Sequence, residues 1–241
     1  MNSDFSVEPI IKINSVGKIY RLGNEKVVAL NDINLSINRG EFCCFLGTSG
    51  SGKSTLLNAL AGLEKPSKGT IRIKNVPIEK LSEKKLAEFR QKNLGFIFQS
   101  YNLINYLNAV ENVSLPLVFK GISKRVRNQK AIDILKAVGL PKHLKHKPTQ
   151  MSGGQQQRVG IARAFVSKPD IILADEPTGN LDSQTSKEVL ELMISMSKQN
   201  NQTLVMVTHD LNIAKMADRI VYILDGKIER VEDRNLKEGY V

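Results

Sequence analysis

One stretch constrains this chain more than any other: Gly47-Thr48-Ser49-Gly50-Ser51-Gly52-Lys53-Ser54. It fits the pattern of Gly, four residues, then Gly-Lys-Ser/Thr, and it stands between a strand-like apolar run at 41–46 and a helix-like run at 53–63. Strand, glycine-rich turn and helix in that order make a cradle for phosphate groups. Glycines let the backbone curl close to a phosphate and present successive N–H groups, while the helix points its partial positive end at the same oxygens. Lys53 adds a point charge, Ser54 is placed to ligate a Mg²⁺ bridging the β- and γ-phosphates, and Thr55 reaches the α-phosphate.

Around this cradle, apolar segments of strand length alternate with amphipathic segments of helix length, which predicts an α/β fold with a mostly parallel sheet. The clearest strands are 41–46, 170–174, 203–207 and 219–224. Ile171-Ile172-Leu173-Ala174 and Leu204-Val205-Met206-Val207 are continuous apolar runs, as central strands covered on both faces require. From about residue 10 to residue 74 the pieces are shorter and alternate, as in Ile71-Arg72-Ile73, predicting antiparallel strands with one wet face. Between 99 and 166 helical periodicity takes over, and the stretch reads as an inserted helical lobe.

The apolar run 171–174 ends in Asp175-Glu176, at the strand end where open α/β sheets place their ligands. This matches the second nucleotide motif. Asp175 is expected to hold Mg²⁺ through its water shell, and Glu176 to polarise the water that attacks the γ-phosphorus. A strand end made polar for solubility is the plain alternative, weakened by the cradle upstream.

Length and charge bound the rest. At 241 residues and 41% hydrophobic content the chain can bury the core of one sizeable domain, with room for an appended lobe. Its 35 Lys and Arg against 24 Asp and Glu leave a formal charge of +11, which favours something anionic: nucleic acid, acidic lipid or a phosphorylated ligand. The densest basic clusters are Lys120, Lys124, Arg125, Arg127 and Lys130, then Lys142, His143, Lys145, His146 and Lys147. They read either as a solvated face or as a patch for anionic headgroups. No apolar run approaches the ~18 residues that cross a bilayer, and Met1-Asn2-Ser3-Asp4 lacks the marks of a signal peptide, so a cytoplasmic location is expected. The two cysteines, Cys43 and Cys44, are adjacent; this excludes a disulfide framework or a metal quartet and makes them small core residues.

The decisive stretch follows: Gln150-Met151-Ser152-Gly153-Gly154-Gln155-Gln156-Gln157-Arg158. With it the chain resembles the ATP-binding subunits of ABC transporters, whose signature is Ser-Gly-Gly-Gln. Ser152 and Gln155 also make an ordinary capping box for a helix running to 166, and both readings hold together. A capped helix opening on two glycines offers N–H groups to an anion, and the resemblance implies that this anion is the γ-phosphate bound to the opposite subunit. It also implies that Tyr20 stacks on adenine, that Gln99 touches Mg²⁺ at the lobe junction, that Asp182 in Asn180-Leu181-Asp182 contacts the dimer partner, and that His209 contacts the γ-phosphate. Met151 and Gly179-Asn180 depart from the commoner leucine and Ser-Ala forms.

What the resemblance implies for the fold is a P-loop NTPase (RecA-like) core with a mostly parallel sheet, an N-terminal antiparallel β subdomain and an inserted helical subdomain. One domain is expected over 1–241, with core segments 1–98 and 167–241 and the helical subdomain at 99–166. Glu111-Asn112-Val113-Ser114-Leu115-Pro116-Leu117, the triple glutamine at 155–157 and the run 174–182 look most like the branch of lipoprotein-releasing (LolD-like), macrolide-exporting (MacB-like) and division-linked (FtsE-like) ATPases. That branch implies a homodimer in the ATP state and an integral permease of FtsX, MacB or LolC type. It further implies a position on the inner face of the plasma membrane, with residues 101–119 as docking surface. Nucleic acid is not an expected partner. A DNA-associated ABC-type ATPase is the alternative, disfavoured because those members carry long coiled-coil or DNA-contacting segments. Lys53→Ala is expected to remove most of the affinity for ATP, measured by nucleotide titration; near-normal binding would overturn the cradle.

Overall fold

In a computed structural model, residues 8–23 and 25–234 are described. The opening Met1 to Asp4, read above for a leader, lies outside them. In chain order the elements are β1 (Ile11–Leu22), β2 (Glu25–Ile37), β3 (Phe42–Leu46), α1 (Lys53–Leu60), β4 (Lys68–Ile73), β5 (Val76–Pro77), α2 (Glu83–Asn93) and β6 (Leu94–Ile97). They continue with α3 (Ala109–Phe119), α4 (Lys124–Ala137), α5 (Gly153–Phe165), β7 (Ile171–Asp175), α6 (Ser183–Gln199), β8 (Thr203–Thr208), α7 (Leu211–Ala214), β9 (Arg219–Leu224) and β10 (Lys227–Asp233). Two compact units emerge, one of Met1–Leu86 with Val207–Val241 and one of Ala87–Met206.

In the first unit, β2-β1-β4-β5 form the antiparallel sheet that the alternating N-terminal pattern predicts. Ile33, Leu35 and Ile37 of β2 are buried while Asp32, Asn34 and Ser36 are exposed, so the period of two sorts side chains onto a dry and a wet face. Cross-strand pairs Ile11 with Ile37 and Ile13 with Leu35 fix that register, since a slip of one residue would turn the apolar set to water. The same unit holds the parallel pair β3 and β9, with β10 antiparallel on β9. Every residue of β3 is buried. Burial pushes the Cys43 thiol well up and the Cys44 thiol to about 12, so both remain inert thiols in the core.

Helix α1 is shorter than the sequence run implies, ending at Leu60 rather than continuing to 63. Gly62 takes φ +62 just past the end, its N–H donates to the Ala59 carbonyl at 3.1 Å, and the Leu63 N–H donates back to Asn58 at 2.9 Å. That pair of bonds closes the last turn on a left-handed residue and satisfies carbonyls the helix would otherwise leave open.

In the second unit, β6 and β7 pair in parallel. Strand β8 is buried throughout and β7 at all but its last residue, as their unbroken apolar sequences require. Strand β7 runs one residue further than expected, so Asp175 is its final residue and Glu176 the first beyond it. Helices α3, α4 and α5 pack on one another, giving the helical character read at 99–166. Three residues organise the entry to α3, and two of them, Glu111 and Asn112, stand above only as branch markers. Asn108 and Glu111 form a capping box at 2.9 and 2.8 Å. The fully buried Asn112 accepts from the Ile104 N–H at 2.8 Å and donates to the carbonyls of Ile104, Leu107 and Asn108. A buried amide so fully bonded is a rigid staple for its loop.

Replacing Gly62 by Ala puts a β-carbon on a left-handed residue, with Leu86 Cδ1 only 2.7 Å from the new atom. Gly62→Ala is expected to lower stability by roughly 1–2 kcal/mol, read from urea unfolding, with nucleotide binding retained.

Candidate nucleotide site

Strand β3 delivers the chain to the glycine-rich turn, and the turn delivers it to α1. Gly52 sits at the N-cap of α1 with φ +100, and a β-carbon there would meet the Ala29 carbonyl oxygen at 2.4 Å; only glycine fits both the dihedral and the space. No side chain caps α1 and no acidic residue stands in its first turn, which leaves the positive end of the helix for an external anion. Lys53 is buried, and its Nζ donates to the Thr48 carbonyl at 2.5 Å and to Ser51 Oγ at 3.3 Å, tying the lysine into the loop it serves. Ser51 is anchored in turn, since its carbonyl accepts from the Gly226 N–H at 3.0 Å. Thr48, Ser49, Gly50 and Ser54 are exposed, and Gly47 and Thr55 half-buried, so the loop presents its rim to solvent.

Tyr20 of β1 is half-buried, and its hydroxyl bonds the Glu64 carboxylate and interacts with Thr55. Burial, then the Glu64 bond, push that hydroxyl up. Lys18 Nζ stands 5.0 Å from the Tyr20 ring centroid and 3.4 Å from Glu64. The structure thus joins Tyr20 to the first turn of α1. His209, just past β8, is exposed between buried Thr208 and Asp210, which caps α7 through the Asn212 N–H at 2.7 Å.

The remaining predicted residues lie in the second unit. Asp175 and Glu176 are half-buried, and Glu176 has φ +42, a left-handed backbone uncommon for a residue with a side chain. The Gly179 N–H donates to the Glu176 carbonyl at 3.1 Å, closing the turn after the acidic pair. Gln99 is exposed, its own carbonyl accepting from Asn180 Nδ2 at 3.1 Å. A β-carbon on Gly179 would come within 2.7 Å of Gln99 Nε2, so the Gly-Asn departure from the family pattern is where the Gln99 loop meets the loop after the acidic pair. Asp182 caps α6 through the Thr185 N–H at 2.9 Å, and this backbone bond holds its carboxyl below the usual range.

At the head of α5, Ser152 Oγ accepts from the Gln155 N–H at 3.3 Å and Gln155 Oε1 accepts from the Ser152 N–H at 3.1 Å, the capping box read from the sequence. The outer side of Gln155 meets His143, Nε2 to Nε2 at 3.3 Å. Gly153 lies beside the Tyr101 hydroxyl, and Gly154 against Thr185 of α6, so the signature and the Asp182 cap are neighbours.

The ABC transporter family matches residues 30–179, more than half of the 241-residue chain. The chain belongs to the ABC transporter family. It is an ATP-binding and ATP-hydrolysing member. The ATP-binding cassette MJ0796 of Methanocaldococcus jannaschii is 46% identical over 227 residues, covering 92% of this chain and 97% of that protein. Its solved structure, described as a dimeric post-hydrolysis state bound to ADP and Pi, matches this fold with a TM-score of 0.87 at 44% identity, over 92% of this chain and 98% of that one. The lipoprotein-releasing system ATP-binding protein LolD of Pseudoalteromonas translucida is 43% identical over 227 residues, 94% of this chain and 98% of LolD. The macrolide export ATP-binding/permease protein MacB of Shewanella is 45% identical over 221 residues, 92% of this chain but 34% of MacB.

Two residues escaped the sequence reading as site components, and a third, Asn180, was read only within the run expected to contact the dimer partner. Gln157 is wholly buried and donates to the Pro177 carbonyl at 2.5 Å and the Phe98 carbonyl at 3.4 Å. Arg163 donates to the carbonyls of Asn102 at 2.5 Å and Tyr101 at 2.8 Å. Asn180 holds the Gln99 carbonyl. The triple glutamine was the one visible signal; the others bond carbonyls 61, 62 and 81 residues away, which no local pattern marks.

The two roles of Ser152 separate by substitution. As an N-cap, Ser152→Ala is expected to cost about 1 kcal/mol and Ser152→Gly only a few tenths. Urea unfolding of the two variants measures the difference, and equal losses would overturn the cap.

Proposed function

We propose that two copies of this chain close head to tail on two ATP molecules, each held between one copy's Gly47–Thr55 loop and the other's Ser152, Gly153, Gly154 and Gln155. The observation that carries this reading is the N-terminus of α5: exposed Ser152, a box that orders the first turn, two glycines and no acidic residue in that turn. Such an end attracts an anion. The description of the related cassette as dimeric and bound to ADP and Pi supports a two-copy reading.

Within it the residues divide the work. Lys53 and the loop N–H groups hold the β- and γ-phosphates, Thr55 the α-phosphate, and Tyr20 the adenine face. Glu176 accepts the proton of the attacking water, His209 steadies the γ-phosphate, and Asp182 meets the partner copy. The Ser54 hydroxyl, Gln99 amide and Asp175 carboxylate each offer a hard oxygen donor of the kind that suits Mg²⁺, an ion that takes one or two carboxylates beside phosphate and water oxygens. When bound, Mg²⁺ supplies neutralisation of charge on the phosphate oxygens. Loss of the γ-phosphate removes contacts that favour the closed pair, and the equilibrium shifts toward the open one.

The motion serves a membrane permease of the LolD, MacB or FtsE-associated kind, with the chain at the inner face of the plasma membrane. We take 99–166 as the moving helical body and 1–98 with 167–241 as the core. The segment 101–119 is the docking surface: Tyr106 is 75% and Phe119 67% exposed, far more than large aromatics normally are without a partner. Among the described residues no helix is long and apolar enough to cross a membrane.

Glu176→Gln is expected to retain ATP binding, to slow turnover by about 10²–10⁴-fold and to yield an ATP-dependent dimer in light scattering. Adding Ser152→Gly should abolish that dimer. Unchanged turnover rules out Glu176 as the base, and a dimer indifferent to Ser152 rules out the shared pocket.

A further inference from the structure

Tyr101 and Asn102 form a backbone feature that the reaction scheme above does not use. They take φ +59 and +47 in succession, two left-handed residues with side chains, two and three positions beyond Gln99. Such a conformation persists only where surrounding contacts over-determine it. The contacts here are specific. Arg163, on the face of α5 that follows the signature, donates one guanidinium N–H to the Tyr101 carbonyl at 2.8 Å and another to the Asn102 carbonyl at 2.5 Å. One helical stretch earlier, Gln157 donates to the Phe98 carbonyl and the Pro177 carbonyl from a site with no exposure to water. Both of these bonds come from the amide nitrogen, which fixes the side chain between the two carbonyls. Gln99 therefore sits on a short loop clamped on both sides by α5. The turn also sets the Tyr101 hydroxyl beside Gly153, tying the loop to the signature itself.

We propose that Arg163 and Gln157 are positioning residues that hold the Gln99 loop in a strained turn against α5, so that Gln99 and the signature move as one body. This rests on the reading of Gln99 as a group that reaches the Mg²⁺ and nucleotide. A fork of two parallel N–H groups is needed to grip adjacent carbonyls, and a lysine offers none. The strain identifies the partner substitution: glycine at 102 removes the steric penalty at one of the two positive-φ positions, so the turn needs less gripping.

The test uses the whole chain and compares Arg163→Lys, Asn102→Gly, the double variant and Gln99→Ala in ATPase assays at varied ATP and Mg²⁺, with melting as a folding control. Arg163→Lys is expected to lower kcat about tenfold and to raise the Mg²⁺ half-saturation, with ATP affinity in the absence of Mg²⁺ within about twofold of the parent. Asn102→Gly added to Arg163→Lys is expected to recover part of the loss. A general weakening of α5 would not be rescued by a loop glycine. If Arg163→Lys is normal while Gln99→Ala is slow, or if Asn102→Gly rescues nothing, the proposal is overturned and the reading of Gln99 stands. If Gln99→Ala turns over normally, the reading of Gln99 fails and the proposal falls with it.

Discussion

A chain that grips a triphosphate must aim backbone N–H groups at one point, and an ordinary chain cannot do so because its side chains stand in the way. Here the solution is the turn between β3 and α1, where Gly52 at φ +100 swings the backbone from strand to helix within a space closed by the Ala29 carbonyl. The rest of the first unit holds that turn still. Strand β3 is buried along its whole length, Lys53 is bonded to the loop it belongs to, and the Gly226 N–H fixes Ser51 from below. A site with this much prior order loses little freedom when the ligand arrives.

The second unit carries its proposed site residues on or beside strained backbone. Glu176, Tyr101 and Asn102 all have positive φ, and each lies beside a group with a proposed part in the reaction. Conformations of this kind cost free energy that the surrounding contacts must offset. The offset comes from α5, through the buried amide of Gln157 and the forked contact of Arg163. The helix is thereby bonded to two loops at once, the one at 98–102 and the one after the acidic pair.

Structural and proposed chemical roles coincide in single residues. Ser152 and Gln155 cap a helix and also furnish the signature, and Asp182 caps α6 while occupying the position through which the family contacts its partner copy. Capping leaves the helix end ordered yet open, so the same geometry that stabilises the fold prepares an anion site.

The phosphate loop, the acidic pair after an apolar strand, the capped signature and the alternating N-terminal strands were all legible in the sequence, because each is a local pattern with a local physical cause. Strands β3, β7, β8 and β9 were legible as apolar runs, although β6, its pairing with β7 and the end of α1 at Leu60 were not, the last because it depends on how Gly62 turns beneath Leu86. Only the tertiary structure decided what Gln157, Arg163, Asn180 and Asn112 do. Their partners are backbone carbonyls and N–H groups, which every residue possesses and no sequence pattern singles out. Which of them a side chain meets is fixed by packing over separations of up to 81 residues.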